Sequence, residues 1–153
     1  MALVILGRTR CRICGDVIQK GQEFKAFSPF ISNPRDPLYF FNDGAFHASC
    51  FTSQDLAAEA QQRWEEGQSK TGPGNRFCVL CKAEVTRPED YLCLGHLTSD
   101  PSNPLHRENY AQFHRECFRT WDKKEDLAQQ LAGLAPEWDP SALQRVIEGL
   151  REA

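Results

Sequence analysis

The sequence predicts a small α+β protein made of two similar lobes, each stapled by a metal ion, with a C-terminal helix closing the chain. Three observations predict it. Cys11-x2-Cys14 is followed after 32 residues by His47-x2-Cys50, and Cys78-x2-Cys81 after 32 residues by His114-x2-Cys117. Adding 67 to each number of the first set gives the second, with no insertion or deletion. The register extends past these eight residues: aligning 11–51 with 78–118 gives 11 identities in 41 positions, where ordinary usage gives roughly two or three. The chain therefore reads as a tandem duplication.

The repeated set fixes the chemistry. Three cysteines and one histidine at this spacing make a closed tetrahedral site, and three thiolates with one imidazole suit zinc. Two structural zinc ions are expected, held by Cys11, Cys14, His47 and Cys50 and by Cys78, Cys81, His114 and Cys117. Lobes of this size bury a modest core and often need a staple. Structural zinc supplies on the order of 10–16 kcal/mol in finger peptides. The non-ligand matches, Pro34/Pro101, Pro37/Pro104, Leu38/Leu105, Asn42/Asn109, Phe46/Phe113 and Phe51/Phe118, mark side chains that each unit places around its metal.

The elements follow in order. The lobes are read as 1–66 and 77–134, with a linker at 67–76 and a tail at 135–153. Residues 2–6 read as a buried strand, and Cys11 to Gly15 as a metal-binding turn in which Gly15 supplies backbone freedom. Val17 to Phe27 reads as a hairpin arm broken at Lys20-Gly21. Residues 32–37 form a turn-rich loop, and Leu38 to Phe41 a short apolar strand. From Phe46 the pattern turns helical, with Phe51, Leu56, Ala60 and Trp64 on one face. His47 and Cys50 then share one side of a first helical turn, where positive partial charge favours a thiolate. Gly67 to Asn75 is linker-like by composition. The second lobe repeats the scheme, with a strand over Tyr91 to Leu97 and a helix from Phe113 to about Leu134. In the tail, Asp139 suits an N-cap and Pro140 the first helical position. Leu143, Val146, Ile147 and Leu150 make an apolar stripe expected to pack on its own chain, with an oligomer or partner surface as the alternative. Trp64, Trp121 and Trp138 are expected to fill packing between the lobes.

Composition restricts the function. Six of the seven cysteines belong to the two sets, an odd count for a disulfide framework. No secretory leader is visible and no run approaches the ~20 apolar residues of a membrane span. A reducing, cytoplasmic setting is expected. The formal charge is −3, and two zinc-thiolate sites each adding −1 bring it to about −5. Such a chain fits a protein partner with a basic surface better than non-specific nucleic-acid binding. A small inhibitor or immunity-type protein masking a basic, nucleic-acid-cleaving toxin is one concrete form. The local exception is a basic first knuckle, where Arg8, Arg10, Arg12, Lys20 and Lys25 outnumber Asp16 and Glu23.

Catalytic residues are not expected. Four protein ligands leave no open position on zinc for water, and no phosphate loop or nucleophile triad is present. A small-molecule substrate is likewise not expected. Cys93, His96 and His106 could ligate a metal, but they align with Ala26, Pro29 and Tyr39, so Cys93 reads as a small residue of a strand.

A two-cysteine turn, a hairpin, then His-x2-Cys on a helix is similar to the treble-clef zinc finger. The first lobe, through Gly7-Arg8-Thr9-Arg10-Cys11-Arg12-Ile13-Cys14, Ile18-Gln19-Lys20-Gly21 and Phe46-His47-Ala48-Ser49-Cys50-Phe51, resembles the poly(ADP-ribose) polymerase-type zinc finger. That resemblance covers about 45 residues. It implies a zinc-stabilised fold and, as the second functional reading, recognition of DNA strand breaks through the basic knuckle.

Overall fold

A computed structural model describes residues 3–152. Among them it shows a mixed α+β chain with two short antiparallel sheets and five α-helices. Two compact units emerge among the described residues: 3–31 with 37–66, and 32–36 with 67–152. No helix among the described residues is long and apolar enough to cross a membrane.

In the first unit, strand β1 (Phe24–Ala26) pairs antiparallel with β2 (Ala45–His47), setting Phe24 opposite His47. Helix α1 (Ala48–Thr52) follows directly, and α2 (Ala57–Thr71) after a short break. Phe27 is the hub of the core. Its ring meets Phe30, Phe41, Phe46, Phe51 and Trp64 with centroids 5.1–6.4 Å apart, the offset and edge-on arrangements aromatic rings prefer. Ile18 and Ala60 are fully buried beside it.

The second unit repeats these connections 67 residues later. Strand β3 (Tyr91–Cys93) pairs with β4 (Gln112–His114), setting Tyr91 opposite His114. Helices α3 (Arg115–Arg119), α4 (Lys124–Ala132) and α5 (Pro140–Arg151) complete it. The isolated bridge Arg10–Val17 has its counterpart in Phe77–Glu84. The core differs, because Leu94 stands where Phe27 stood and the aromatic hub is lost. The volume is filled by Leu127, Leu131, Leu134, Trp138, Leu143, Ile147 and Leu150, supplied by α4, α5 and their connection. Trp138 is 2% exposed, and its Nε1–H donates to the Leu97 carbonyl at 3.0 Å. Asp139 caps α5 by accepting from Ala142 N at 3.0 Å, with Pro140 at the first helical position as expected. The 32–36 segment joins this unit through Asn33, which donates to the Glu137 carbonyl and accepts from Asp139 N, both at 3.0 Å.

One repeated side chain locks the loop of each unit. Asn42 Oδ1 accepts from Phe30 N and Ile31 N, each at 3.0 Å, while its Nδ2 donates to Ile31 O at 2.6 Å. Asn109 does the same to Leu97 N, Thr98 N and Thr98 O. A side-chain amide supplies both the donor and the acceptor needed to close such a ring.

Several sequence expectations are corrected. Of the expected strand 2–6, Ala2 lies outside the described residues, and the rest is no strand. Leu3, Ile5 and Leu6 are exposed, and the chain turns at once, with Ile5 O accepting from Arg8 N and Thr9 N. Leu38 to Phe41 forms a 3-10 turn over Pro37–Phe41, since proline fixes the φ such a turn requires and lacks a strand donor. The arm 17–27 keeps only β1 and the Val17 bridge, and the expected strand 91–97 ends at Cys93, before Gly95 turns left-handed at φ +66°. Phe46 and Phe113 lie in strands, so the helices begin one residue after each histidine. Neither helix runs on unbroken. Ser53 Oγ donates back to Cys50 O at 2.8 Å and Thr120 Oγ1 to Glu116 O at 3.2 Å, side-chain bonds that compete with helix continuation.

The composition-based linker is mostly helix. α2 continues to Thr71, and Gly67 within it is buried beside the Tyr110 ring. Only Gly72 to Asn75 is turn, with Gly74 at φ +80°. The tryptophans serve the core of their own unit: Trp64 the first, Trp121 and Trp138 the second.

Replacing Asn42 or Asn109 by alanine strands three backbone groups. Each substitution is expected to cost about 2–3 kcal/mol in urea unfolding of the zinc-loaded protein. A cost below about 0.5 kcal/mol would show that the amide ring does not hold the loop.

Candidate metal centres

Each centre is assembled from two pieces of backbone. The first is a tight turn. In the first unit Gly15 N donates to Cys11 O at 2.9 Å with Gly15 at φ +79°, and in the second Lys82 N donates to Cys78 O at 2.9 Å with Lys82 at φ +64°. The second piece is the strand-to-helix junction at His47 and His114. Arg12 N donates to Ala45 O and Val79 N to Gln112 O, tying each turn to its junction.

These pieces bring together Cys11, Cys14, His47 and Cys50, and separately Cys78, Cys81, His114 and Cys117. In each group every ligand atom lies within 4.8 Å of the others. Cys14 Sγ is 3.4 Å and Cys50 Sγ 3.9 Å from His47 Nδ1, and Cys81 Sγ is 3.4 Å from His114 Nδ1. Tetrahedral zinc with Zn–S about 2.3 Å and Zn–N about 2.0 Å requires ligand separations of roughly 3.5–3.8 Å. The residues present fit that ion, through Nδ1 of each histidine. These are two structural zinc sites of Cys3His composition.

The electrostatics explain why a dication belongs there. Burial pushes the Cys11 thiol up, but backbone N–H groups of Cys14, His47 and Ile13 outweigh it and bring the pKa down to about 6. Cys78 follows the same pattern, to about 6, under Cys81, His114 and Leu80. Cys50 and Cys117 move the other way, to about 11. Burial is the larger cause, followed by the neighbouring sulfurs of their own site. One sulfur of each quartet is poised to ionise, and its charge suppresses ionisation of another. A divalent cation removes that conflict.

Beyond the ligands, His47 Nε2 lies 3.2 Å from Gln22 Oε1. With Nδ1 on the metal, Nε2 carries the proton and donates to Gln22, fixing ring orientation. Sequence reasoning missed Gln22 because the repeat does not carry it: the residue 67 positions on is Glu89, whose carbonyl accepts from Arg115 Nε at 3.0 Å.

The remaining candidates fall elsewhere. Cys93 is half-buried in β3, its Sγ accepting from Gly95 N at 3.4 Å. His96 is buried with its ring centroid 6.0 Å from Tyr110, and His106 is exposed. None of the three belongs to either quartet. Arg8, Arg10, Arg12, Lys20 and Lys25 are all exposed. Arg10 donates to Gly15 O at 3.0 Å, and Arg12 donates to Asn42 O at 2.7 Å while lying over the Phe40 ring at 5.4 Å.

No protein-family model, no curated protein and no solved structure matches the chain.

Folded protein is expected to carry two equivalents of zinc by elemental analysis and to lose cooperative unfolding on exhaustive chelation; an unchanged melt would refute structural roles for the metals. Gln22→Ala is expected to weaken zinc at the first site about tenfold and to leave the second unchanged, as read by competition with a chromophoric chelator.

Proposed function

We propose that this chain is a non-enzymatic binding module, made of two treble-clef-like units that arose by duplication, whose surface engages a protein partner. The observation that carries the reading is closure of both sites. Each metal has four protein ligands, so zinc supplies rigidity and offers no open position for water or substrate. Two features support duplication: the 67-residue register of ligands, and its recurrence in strand pairing, turn hydrogen bonds and the asparagine ring. A reducing, cytoplasmic setting, in which six thiolates stay available for metal, is part of the proposal.

Protein binding is favoured by the side chains the first unit leaves in water. Leu3, Ile5, Leu6, Phe24, Tyr39 and Phe40 are all exposed. Three of these six are aromatic, the residue type enriched at protein interfaces.

The second reading is recognition of DNA breaks, as the resemblance to poly(ADP-ribose) polymerase-type fingers implies. It is favoured by the exposure of Arg8, Arg10, Arg12, Lys20 and Lys25. Against it stands the acidic balance of the whole chain.

The two readings separate experimentally. The zinc-loaded chain is expected to retain a partner in a pull-down from nuclease-treated extract and to leave a nicked duplex unshifted. A gel shift that weakens steeply with salt, by about 0.9 log units per phosphate neutralised, and that disappears in the Arg8→Glu, Arg10→Glu, Lys20→Glu variant, would transfer the function to DNA.

A further inference from the structure

Resting on the protein-binding reading above, we propose that the groove beside the first knuckle receives an acidic peptide segment of the partner that also carries apolar side chains. Leu3, Arg10, Arg12, Asn42, Asp43 and Ala45 line it.

The guanidinium groups carry the argument. Each presents five N–H donors in a planar fork. Arg10 spends one on Gly15 O and Arg12 one on Asn42 O, and the Arg12 guanidinium also lies over the Phe40 ring, 5.4 Å from its centroid. The donors left over on each fork suit a carboxylate in bidentate fashion. Both forks are anchored to loop carbonyls that the zinc turn and the asparagine ring hold in place. Little rotamer freedom remains to be lost on binding.

The apolar side of the groove chooses among anionic partners. Leu3, which lines the groove, is 82% exposed. A phosphate backbone offers nothing to cover that side chain, whereas a peptide alternating carboxylates with apolar residues does. Asp43, exposed on a left-handed turn at φ +50°, repels phosphate and carboxylate alike. A backbone charged at every unit cannot avoid it, whereas a peptide can set its carboxylates at Arg10 and Arg12 and pass Asp43 with an amide N–H. The net charge of the chain points to a basic partner, but beyond a Debye length, about 10 Å at 0.1 M salt, exposed charges are largely screened. A docked segment answers to the arginines it touches.

The test uses the full zinc-loaded chain and a fluorescein-labelled hexapeptide of alternating glutamate and leucine, read by anisotropy. The lysine–leucine counterpart and a nicked duplex serve as comparisons. Binding of the acidic peptide alone is expected, with backbone amide shifts confined to the first knuckle and the 42–45 turn. Arg12→Glu is expected to weaken it at least tenfold. Leu3→Ser, at a site too exposed to disturb folding, is expected to weaken it at least threefold with two zinc equivalents retained. Equal binding of the two peptides, tighter binding of the duplex, or indifference to both substitutions would overturn the proposal. If a partner recovered by pull-down binds Leu3→Ser and Arg12→Glu as tightly as the original chain, the groove assignment falls and the protein-binding reading stands.

Discussion

Three sulfurs packed within 4.8 Å of one another cannot all ionise unless a cation sits among them. The pKa pattern expresses that constraint, with Cys11 drawn down to about 6 and Cys50 pushed up to about 11. The rest of the unit is arranged around its resolution. The knuckle turn aims backbone N–H groups at Cys11, the strand-to-helix junction delivers His47 and Cys50 from the opposite side, and Arg12 N bonds to Ala45 O to hold the two together. Metal binding and folding are then a single event, since the ligand atoms converge only when both pieces of backbone are in place.

With the metal site fixing one end of each unit, the core is free to vary. The first unit closes on an aromatic hub at Phe27, a large side chain with several rings at preferred geometry. The second carries Leu94 at that position and compensates with α5, whose Leu143, Ile147 and Leu150 return apolar volume to the same core. The same backbone scheme thus survives two chemically different fillings, as expected where total volume and patterning are kept. Trp138 adds a directional element. Its indole N–H satisfies the Leu97 carbonyl inside the core, so the tail packs in one register.

What was legible in the sequence was whatever the metal or the period enforced. The eight ligands, the repeat, the cap at Asp139 and the stripe on α5 could all be read because spacing alone carries them. The misread elements are those set by competition between side chain and backbone. Ser53 and Thr120 end helices that periodicity would extend, by bonding to carbonyls one turn back. Gly67 looks like linker composition but lies inside a helix, buried against the Tyr110 ring, a placement visible only in three dimensions. Residues 3–6 look like a core strand because they are apolar, yet they end in a turn before a partner strand can form. Gln22 escaped notice because its role toward His47 depends on which ring nitrogen faces the metal.

The misread N-terminal segment also alters how charge should be weighed. Buried, Leu3 to Leu6 would have left the first knuckle a purely basic surface, and the overall acidity of the chain would have been the only other guide to a partner. Exposed, Leu3 lines the same groove as Arg10 and Arg12, whose guanidiniums bond to Gly15 O and Asn42 O, Arg12 also lying over the Phe40 ring. The carbonyls that orient them belong to the knuckle turn and to the loop behind it. The metal keeps the first in place and the Asn42 ring braces the second. If the groove receives the proposed peptide, zinc acts on its recognition without touching it: the carbonyls that hold the two arginines are set during folding, so part of the cost of ordering those side chains is met before binding.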